Sequence, residues 1–315
     1  MSVLILSRTE NVHADVVEKN LKNRKIKTPR INMDAISFGP PLISIEQNIL
    51  RICGEEIKIN EVQSVFVHHP RIEVSEKVGV DRIDRKIISA SWSVFITGLE
   101  SVLNKSRWVN KLSASSRSAD TFGQLILAEK VGFRVPKTCF SNDVDYVRKF
   151  TADFDRIILK PGPLMGVHLK GKRILTQIVN PNTLTTRQLV HSPCFFQEYI
   201  DKAFELRIHV IGNRVLTCKI ESQKSKLART DWRRYDIANT PHYPYELGEK
   251  EKQQCIEITH RLGLEMGVID MIVTPNGEHV FLECNSNGYW IWIEELTGLP
   301  ITQTVSDLLT TSVST

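Results

Sequence analysis

The sequence lacks long apolar runs, paired cysteines and a strong net charge. No apolar stretch approaches the ~18 residues of a membrane-spanning helix, and the first residues lack the basic segment of a signal peptide. Its six cysteines form no Cys-x-x-Cys pair, which is typical of reduced thiols in a cytoplasmic protein rather than of a disulfide framework or a zinc site. We therefore expect a cytoplasmic protein that does not act at a membrane.

The net charge and the glycine pattern give no support to nucleic-acid binding or to dinucleotide binding. A formal charge of +5 over 315 residues is too small and too diffuse to indicate nucleic-acid binding. No Gly-x-Gly-x-x-Gly is present, so nothing favours a dinucleotide site. The hydrophobic fraction of 41% and the charged fraction of 24% are ordinary for a globular protein, and the length predicts two or three domains.

Residues 281–285 form the most informative segment. Residues two apart on a strand point to the same side, so Glu283 and Asn285 are expected to converge on one hard cation. A Glu-x-Asn on a strand is also common without any metal. The interpretation therefore needs a further ligand nearby.

A second apolar segment, residues 268–272, supplies that ligand. Asp270 lies at its centre, where burying an unpartnered carboxylate would be costly. Pro275, Asn276 and Gly277 predict a turn between the two segments, which would set Asp270 beside Glu283. Carboxylate and amide oxygens suit Mg²⁺, which usually binds a few such groups together with nucleotide phosphates.

A further set of polar residues fits a nucleotide. Lys160 ends an apolar strand before the glycine-containing loop at 161–166, where a cation and backbone N–H groups can hold phosphates. The backbone of residues 198–200 is expected to pair with an adenine edge, Glu205 with ribose hydroxyls and Arg207 with phosphate. Each residue has an ordinary alternative as an exposed group on a strand edge. Their order along the chain is more specific than any single member.

Basic residues concentrate between positions 214 and 234, where Glu221 and Asp231 are the only acidic residues. Such a run is usually a solvated face, and a polyanionic ligand such as nucleotide phosphates or an acidic peptide is the alternative. The basic residues are Arg214, Lys219, Lys224, Lys226, Arg229, Arg233 and Arg234.

The first hundred residues predict an α/β unit. An apolar strand at 3–6 precedes an amphipathic helix at 14–25, and residues 64–67 predict a buried parallel strand. Residues 81–103 have helical periodicity.

Turn and helix-end signals along the rest of the chain predict mixed α+β structure. The serine-rich segment 113–118 is interpreted as a junction, followed by a helix at 118–131 that ends at Gly132. Gly212 and Asn213 predict a hairpin, and a long helix is expected at 249–262. In the tail, a core helix is expected with three apolar residues on one face, namely Trp290, Ile293 and Leu296.

The order of these polar residues resembles the ATP-grasp superfamily of carboxylate ligases. The residues that carry the resemblance are Lys160, Gln197, Glu198, Tyr199, Ile200, Glu205, Arg207, Asp270, Glu283 and Asn285. The resemblance covers about residues 109–301. It implies an ATP-grasp fold with an N-terminal pre-ATP-grasp α/β domain at 1–108, a central subdomain at 109–200 and a C-terminal subdomain at 201–315.

The resemblance also implies roles for individual residues. ATP is expected between the two subdomains. The implied nucleotide-binding residues are Lys160, Gln197, Glu198, Tyr199, Ile200, Glu205 and Arg234. The implied ligands of Mg²⁺ are Asp270, Glu283 and Asn285. The implied catalytic residues are Arg207, Lys219 and Arg233.

The tail narrows the resemblance to the graspetide synthetases, microviridin-type ligases that cyclise ribosomal precursor peptides. Residues 285–294 and 297–301 are similar to that family, whose pattern usually reads Asn-Pro-Asn-Gly-Gln-Trp. Ser286 and Tyr289 depart from this pattern. The subfamily is therefore implied by resemblance and not by the physics of the tail.

Two further departures concern the nucleotide site. Many relatives carry a second ATP lysine before the 122–131 helix, where this chain has Asp120 and Thr121. Two alternatives stay open: nearby Lys111 or Lys137 substitutes, or the position is unused. The phosphate loop at 161–166 is also poorer in glycine than the loops of related ligases.

The resemblance implies an enzyme that uses ATP to phosphorylate Asp or Glu side chains of an acidic precursor peptide, made of leader and core. Ser, Thr or Lys of that peptide would then close ester or amide rings, with release of ADP and phosphate. Two alternatives stay open: a RimK-like ligase that adds free amino acids to a peptide or protein, and a non-catalytic nucleotide-binding regulator. Relatives also imply a homodimer.

Overall fold

The chain was analysed as a computed structural model, which describes residues 2–34, 42–52, 55–70, 81–160, 168–169, 172–173, 175–232 and 236–311. Its strands are β1 (Ser2–Ser7), β2 (Arg30–Asn32), β3 (Leu42–Ser44), β4 (Ile49–Ile52), β5 (Glu55–Lys58), β6 (Val62–Val67), β7 (Arg107–Val109), β8 (Thr138–Ser141), β9 (Ile157–Lys160), β10 (His168–Leu169), β11 (Lys172–Arg173), β12 (Gln177–Val179), β13 (Cys194–Glu198), β14 (Phe204–Ile211), β15 (Arg214–Ile220), β16 (His242–Tyr245), β17 (Met266–Val273) and β18 (His279–Asn285). Its α-helices are α1 (Val12–Asn23), α2 (Arg82–Val102), α3 (Leu112–Ser118), α4 (Thr121–Val131), α5 (Val144–Thr151), α6 (Thr186–Leu189), α7 (Glu249–Arg261), α8 (Ile291–Thr297) and α9 (Ile301–Thr310).

The N-terminal part is built on a parallel sheet with strand order β2-β1-β6-β7. Every residue of β1 is buried, as expected for a parallel strand that is covered on both faces. Helix α1 begins after Asn11, whose side chain accepts a hydrogen bond from the Ala14 N–H. A small antiparallel sheet, β3-β4-β5, lies beside this layer.

The central part is an antiparallel sheet with strand order β12-β9-β13-β8. Apolar side chains of α5, including Val144 and Val147, pack with Ile157 and Phe196 of this sheet. The hairpin β10-β11 follows β9 in the chain. Because α5 occupies one face of the sheet, the residues of the other face, such as Lys160, are left to line a cavity.

The largest sheet is antiparallel, with strand order β16-β15-β14-β17-β18. Side chains alternate along β14, so Leu206 and Ile208 pack with α4 and α7 on one face. Glu205, Arg207 and His209 point to the opposite face. The polar residues of the strand are thereby separated from its main apolar core.

The C-terminal helices return to the N-terminal sheet. The Ser64 hydroxyl donates to the Leu309 carbonyl at 2.7 Å, and Arg24 forms an ion pair with Asp307 at 2.9 Å. One apolar cluster joins β1 and β6 with α8, α9 and the large sheet. Residues 112–133 pack against the large sheet as well. The division into units at 1–108, 109–200 and 201–315 stays a prediction.

Most expected elements are confirmed, and three details were wrong. The segment 113–118 is not a junction but lies in helix α3 (Leu112–Ser118). The next helix begins after Asp120, whose carboxylate accepts from the Phe122 N–H, rather than at position 118. Leu296 is 43% exposed, whereas Trp290 and Ile293 are fully buried, so these three residues do not share one buried face.

Candidate active site

A cavity lies between the central sheet and the large sheet, and it gathers many of the expected polar residues. Those residues are Lys160, Glu198, Tyr199, Ile200, Glu205, Asp270 and Glu283. They come from four strands, β9, β14, β17 and β18, and from the segment 198–200 at the end of β13. Their convergence is the main structural result at this site.

Asp270 and Glu283 are brought together by the pairing of β17 with β18. They lie directly opposite each other, and the register then shifts so that Met271 faces Phe281. Leu282 is thus the extra residue of a β-bulge, and it lines the cavity. Gly277 closes the turn between the strands with a φ of +84°, which glycine adopts without strain.

Asn285 lies beside the two carboxylates. Its side-chain amide lies 3.4 Å from Asp270 Oδ2 and 3.3 Å from Glu283 Oε1. Within the described part of the chain, no group of three or more His, Cys, Asp or Glu side chains is arranged to hold a metal ion. Two carboxylates and one amide oxygen nevertheless fit Mg²⁺, because that ion takes its remaining ligands from water and nucleotide phosphates.

Arg207 pairs with one of the two carboxylates, Asp270. Its Nη1 donates to Asp270 Oδ1 at 2.8 Å, and its Nη2 donates to the Tyr289 carbonyl at 3.1 Å. The guanidinium also lies over the Trp232 ring, with Cζ 5.1 Å from the ring centroid. Arg207 and Asp270 are 5% and 7% exposed, so their charges interact with little screening by water.

Glu205 is held by a lysine that the sequence interpretation missed. Lys202 Nζ lies 2.7 Å from Glu205 Oε1, and both side chains are buried at the cavity wall. The Lys202 ammonium also donates to the Thr230 carbonyl at 3.3 Å. The one sequence signal was a lysine between the 197–200 segment and Glu205. Among the described lining residues, Lys202 and Lys160 are the lysines of the cavity, and the proposed substitutes Lys111 and Lys137 do not contribute.

The bend at residues 198–200 has part of its backbone already engaged. The N–H groups of Glu198 and Tyr199 donate to the carbonyls of Lys137 and Arg156. Gln197, expected at the nucleotide, is instead fully buried and donates to Thr138 Oγ1 at 2.7 Å. It is not among the residues that line the cavity.

Besides Gln197, Lys219 is not brought to this cavity, and two further residues of the expected set cannot be placed. Arg207 and Asn285 line a cavity that adjoins this one. Lys219 pairs opposite Leu206 in the sheet and therefore points to the face away from Arg207. There it forms an ion pair with Glu221 at 2.7 Å. Arg233 and Arg234 lie outside the described residues.

A second cavity, which we name the distal cavity, adjoins the first at Asp270 and Glu283. Arg207, Asn285, Tyr289 and His69 line it as well. Neither His69 nor Tyr289 was expected at a site from the sequence. No sequence motif marks His69, since it follows an apolar strand in the N-terminal part of the chain.

Two buried histidines lie near Arg207. Burial lowers the pKa of His209 to about 3, with the positive charge of Arg207 contributing. Burial also lowers the pKa of His13 to about 4, with His69 and Arg207 contributing. Both imidazoles are therefore neutral at pH 7, so Arg207 has no cationic histidine beside it.

The fold leaves some basic residues of the segment 214–232 exposed and pairs others with carboxylates. Lys224, Lys226 and Arg229 are exposed, whereas Arg214 forms an ion pair with Asp307 at 3.0 Å. A cationic surface thus exists at 224–229. In the described residues, no helix is long and apolar enough to cross a membrane.

Comparison with known proteins identifies the family to which this architecture is similar. The family model of the RimK-like ATP-grasp domain matches residues 123–309. A curated protein of Saccharophagus degradans, a probable alpha-L-glutamate ligase, is 23% identical over 209 residues. That match covers 64% of this chain and 66% of the relative, just under two thirds of its length.

Two solved structures are similar over nearly the whole chain. One is a Chryseobacterium gregarium RiPP-associated ATP-grasp ligase in complex with ADP and a leader and core peptide, at 26% identity and a TM-score of 0.87, covering 98% of this chain and 96% of that one. The other is the macrocyclase MdnC of Microcystis aeruginosa bound with the precursor peptide MdnA, at 27% identity and a TM-score of 0.84, covering 98% and 99%.

Proposed function

The chain belongs to the RimK-like ATP-grasp family, and on that premise we propose that it is an ATP-dependent ligase that closes rings in a ribosomal precursor peptide. It would phosphorylate Asp or Glu side chains and join them to Ser or Thr as esters or to Lys as amides. The observation that carries this proposal is the cavity that gathers Lys160, Glu205, Asp270 and Glu283 between two antiparallel sheets.

The cavity offers a separate group for each part of a nucleotide: the phosphates, the ribose and the adenine. Lys160 supplies a cation for the phosphates. We assign the ribose to the Lys202–Glu205 pair, whose carboxylate would accept hydrogen bonds from the ribose hydroxyls. Since the N–H groups of Glu198 and Tyr199 are engaged, the Ile200 N–H is the donor that we assign to the adenine edge.

Magnesium is part of the proposal because of the donor set. Asp270, Glu283 and the amide oxygen of Asn285 would hold the ion, after rotation of the Asn285 amide. When bound, Mg²⁺ would neutralise charge on the transferring phosphoryl group. Arg207 orients the Asp270 carboxylate through the 2.8 Å hydrogen bond.

Phosphorylation solves the chemical difficulty of ring closure. A carboxylate repels a nucleophile and has no good leaving group. Attack of its oxygen on the γ-phosphorus of ATP breaks the bond to ADP and gives an acyl phosphate. The acceptor oxygen or nitrogen then attacks the acyl carbon, and inorganic phosphate leaves. The enzyme contributes mainly position and a fixed electrostatic environment.

The peptide partner is supported by the similar structures and by charge. The two similar ligases were solved with peptides bound, and this chain presents the exposed cations Lys224, Lys226 and Arg229. An acidic peptide would be attracted to such a surface. We also propose a homodimer, which sedimentation of the purified protein tests directly.

A second function is favoured by one observation. The curated relative is named a probable alpha-L-glutamate ligase, and a ligase that adds free amino acids uses the same ATP chemistry. The two functions differ in the acceptor: a residue of the same peptide in ring closure, a free amino acid in the alternative.

The experiment that decides between these two functions measures the mass of the peptide. Acidic peptides encoded beside the gene are incubated with the protein, ATP and Mg²⁺, with and without free amino acids. Stepwise losses of the mass of one water, absent in Asp270→Ala and Glu283→Ala but retained in the exposed control Glu257→Ala, would support ring closure. A gain of one amino-acid residue would establish the alternative. ATP binding without any change in mass would indicate a nucleotide-binding regulator.

A further inference from the structure

His69 lies where the N-terminal sheet meets the candidate active site. It follows β6 (Val62–Val67) by two residues, at the carboxyl edge of the parallel sheet. Ligands of open α/β sheets bind at this edge. His69 lines the distal cavity together with Arg207, Asp270 and Glu283. It also lines a further opening that continues to Arg8.

The backbone of His69 is held in an uncommon conformation. Its φ is +48°, a left-handed value that is strained for a non-glycine residue. Its N–H donates to Asn287 Oδ1 at 3.2 Å, and its ring stacks on Tyr289 with centroids 4.7 Å apart and planes 15° apart. Both contacts come from the segment directly after β18. The ring is therefore fixed relative to the strand that carries Glu283.

The two ring nitrogens of His69 differ in their hydrogen bonding. One is hydrogen-bonded to the backbone of Asn287. Nε2 is shielded from water and has no hydrogen-bond partner among the described residues. Since buried polar atoms nearly always have a partner, this unused lone pair needs an explanation. Hydrogen bonds to a substrate often form only when the substrate is bound.

The surroundings keep the imidazole neutral. Burial lowers the pKa of His69, the hydrogen bond to Asn287 raises it, and the positive charge of Arg8 lowers it, with a net decrease. Among the described residues, the other titratable groups near the ring are His68, with ring centroids 4.7 Å apart, Tyr289, and His13, whose pKa is lowered by burial and by His69. The pKa of His68 is also lowered by burial. A neutral imidazole with a free lone pair can accept a proton.

We propose that His69 is the general base of the ring-closing step, an assignment that rests on the proposed function. As the acceptor hydroxyl oxygen attacks the acyl carbon, its proton passes to His69 Nε2. The bond between the acyl carbon and the phosphate oxygen then breaks, and phosphate leaves. His69 returns the proton to solvent before the next cycle. For a lysine acceptor, the same nitrogen takes the proton that the amine must lose.

This role is specific to the second half-reaction. Attack of a carboxylate on ATP releases no proton, so a base is not needed for acyl-phosphate formation. Attack by a hydroxyl does release one, and a positioned base typically contributes about 10²–10⁴-fold to such a step. Loss of His69 should therefore slow ring closure and leave acyl-phosphate formation intact.

The test separates the two half-reactions. His69→Asn removes the base while keeping a residue that tolerates positive φ, and His69→Gly leaves space for added imidazole. His260→Asn, an exposed histidine on α7, is the matched control. Single-turnover reactions are followed by peptide mass for ring closure. Hydroxylamine, which converts an acyl phosphate to a hydroxamate, reports on its formation.

We expect His69→Asn to slow ring closure about 100-fold or more and to form hydroxamate at nearly the rate of the unchanged protein. Imidazole should partly restore closure in His69→Gly. In the unchanged protein, closure should slow as pH falls, and it should do so below the ordinary imidazole pKa because burial lowers the pKa of His69. A protonated imidazole cannot accept a proton, so this dependence should vanish in His69→Asn. Unimpaired closure, or equal loss of hydroxamate and rings, would overturn the assignment. If the unchanged protein formed no hydroxamate, the result would instead contradict the proposed function itself.

Discussion

Arg207 on β14 and Asp270 on β17 lie directly opposite each other, with Nη1 2.8 Å from Oδ1 and both side chains buried. A buried carboxylate in an apolar strand is stable only with such a partner. The same pair also orients a proposed magnesium ligand. Stability and proposed catalysis therefore depend on one contact.

Replacing Arg207 by Met should lower the free energy of unfolding by about 3–5 kcal/mol, because it leaves Asp270 buried without its cation. Adding Asp270→Asn to that variant should restore part of the loss, since the uncompensated charge is removed. Urea unfolding of the unchanged protein, both single variants and the double variant measures this. Additive losses in the double variant would show that the two charges are not coupled.

Glu283→Gln should weaken binding of Mg–ADP at least about ten-fold, equivalent to about 1.4 kcal/mol. The amide is neutral and binds Mg²⁺ less well than a carboxylate. Binding of metal-free ADP should change much less. Calorimetric titration of ADP with and without Mg²⁺ compares the two, and Glu257→Gln on the exposed face of α7 is the control. An equal loss in both titrations would place Glu283 away from the metal.

Charge reversal at Lys224, Lys226 and Arg229 should weaken binding of an acidic peptide, because exposed charges act through long-range attraction. Each exposed contact contributes at most about 1 kcal/mol, so the triple variant should lose roughly ten-fold in affinity at low salt. The difference should shrink as salt is added. Fluorescence anisotropy at several salt concentrations measures this, with Lys250→Glu as a control. Unchanged affinity would remove this surface from the peptide site.

Gly288→Ala should destabilise the loop that follows β18. A Cβ at this position would lie 2.6 Å from Val268 Cβ and Cγ2, closer than side chains can approach. The loop carries Tyr289, whose carbonyl accepts from Arg207, so peptide turnover should fall together with stability. Gly98→Ala in α2 has no atom within 4 Å of the new Cβ and should be neutral or stabilising. Melting temperatures of both variants test the contrast.

Acid should destabilise the protein through its buried histidines. The pKa of His209 is about 3 in the folded chain and 6.5 is its ordinary value, so the unfolded chain binds a proton first as pH falls. Stability from His209 is complete above pH 6.5 and declines by up to about 1.4 kcal/mol per pH unit below it. The slope should flatten in His209→Leu and persist in the exposed control His260→Gln. Urea unfolding between pH 7 and pH 4 measures both slopes.

Local patterns allowed much of the fold to be predicted. The hairpin that sets Asp270 beside Glu283 is confirmed, because alternation and a turn glycine act over a few residues. The helix that ends at Gly132 is confirmed as well, with φ +95° at that glycine. The junction at 113–118 was predicted wrongly, because its many serines were interpreted as a sign of a connection. The segment is instead part of a short helix that packs against its neighbours.

Side-chain direction limited the prediction of the site. Lys219 belongs to the right sheet but points to the wrong face, since one residue of register reverses every side chain. Gln197 lies beside the bend but turns into the sheet to reach Thr138. The buried Lys202–Glu205 pair forms at the cavity wall, and a lysine in sequence carries no mark of burial.

The sequence by itself determined the strands, the turns and the identity of the acidic and basic groups, because these follow from periodicity and composition over short distances. Only the tertiary structure decided which of them meet. The pairing of β14 with β17 sets Arg207 on Asp270, and the stacking of the N-terminal sheet on the tail sets His69 against Tyr289. Such contacts join residues 63 and 220 positions apart along the chain. They depend on packing of whole sheets, which no local pattern encodes.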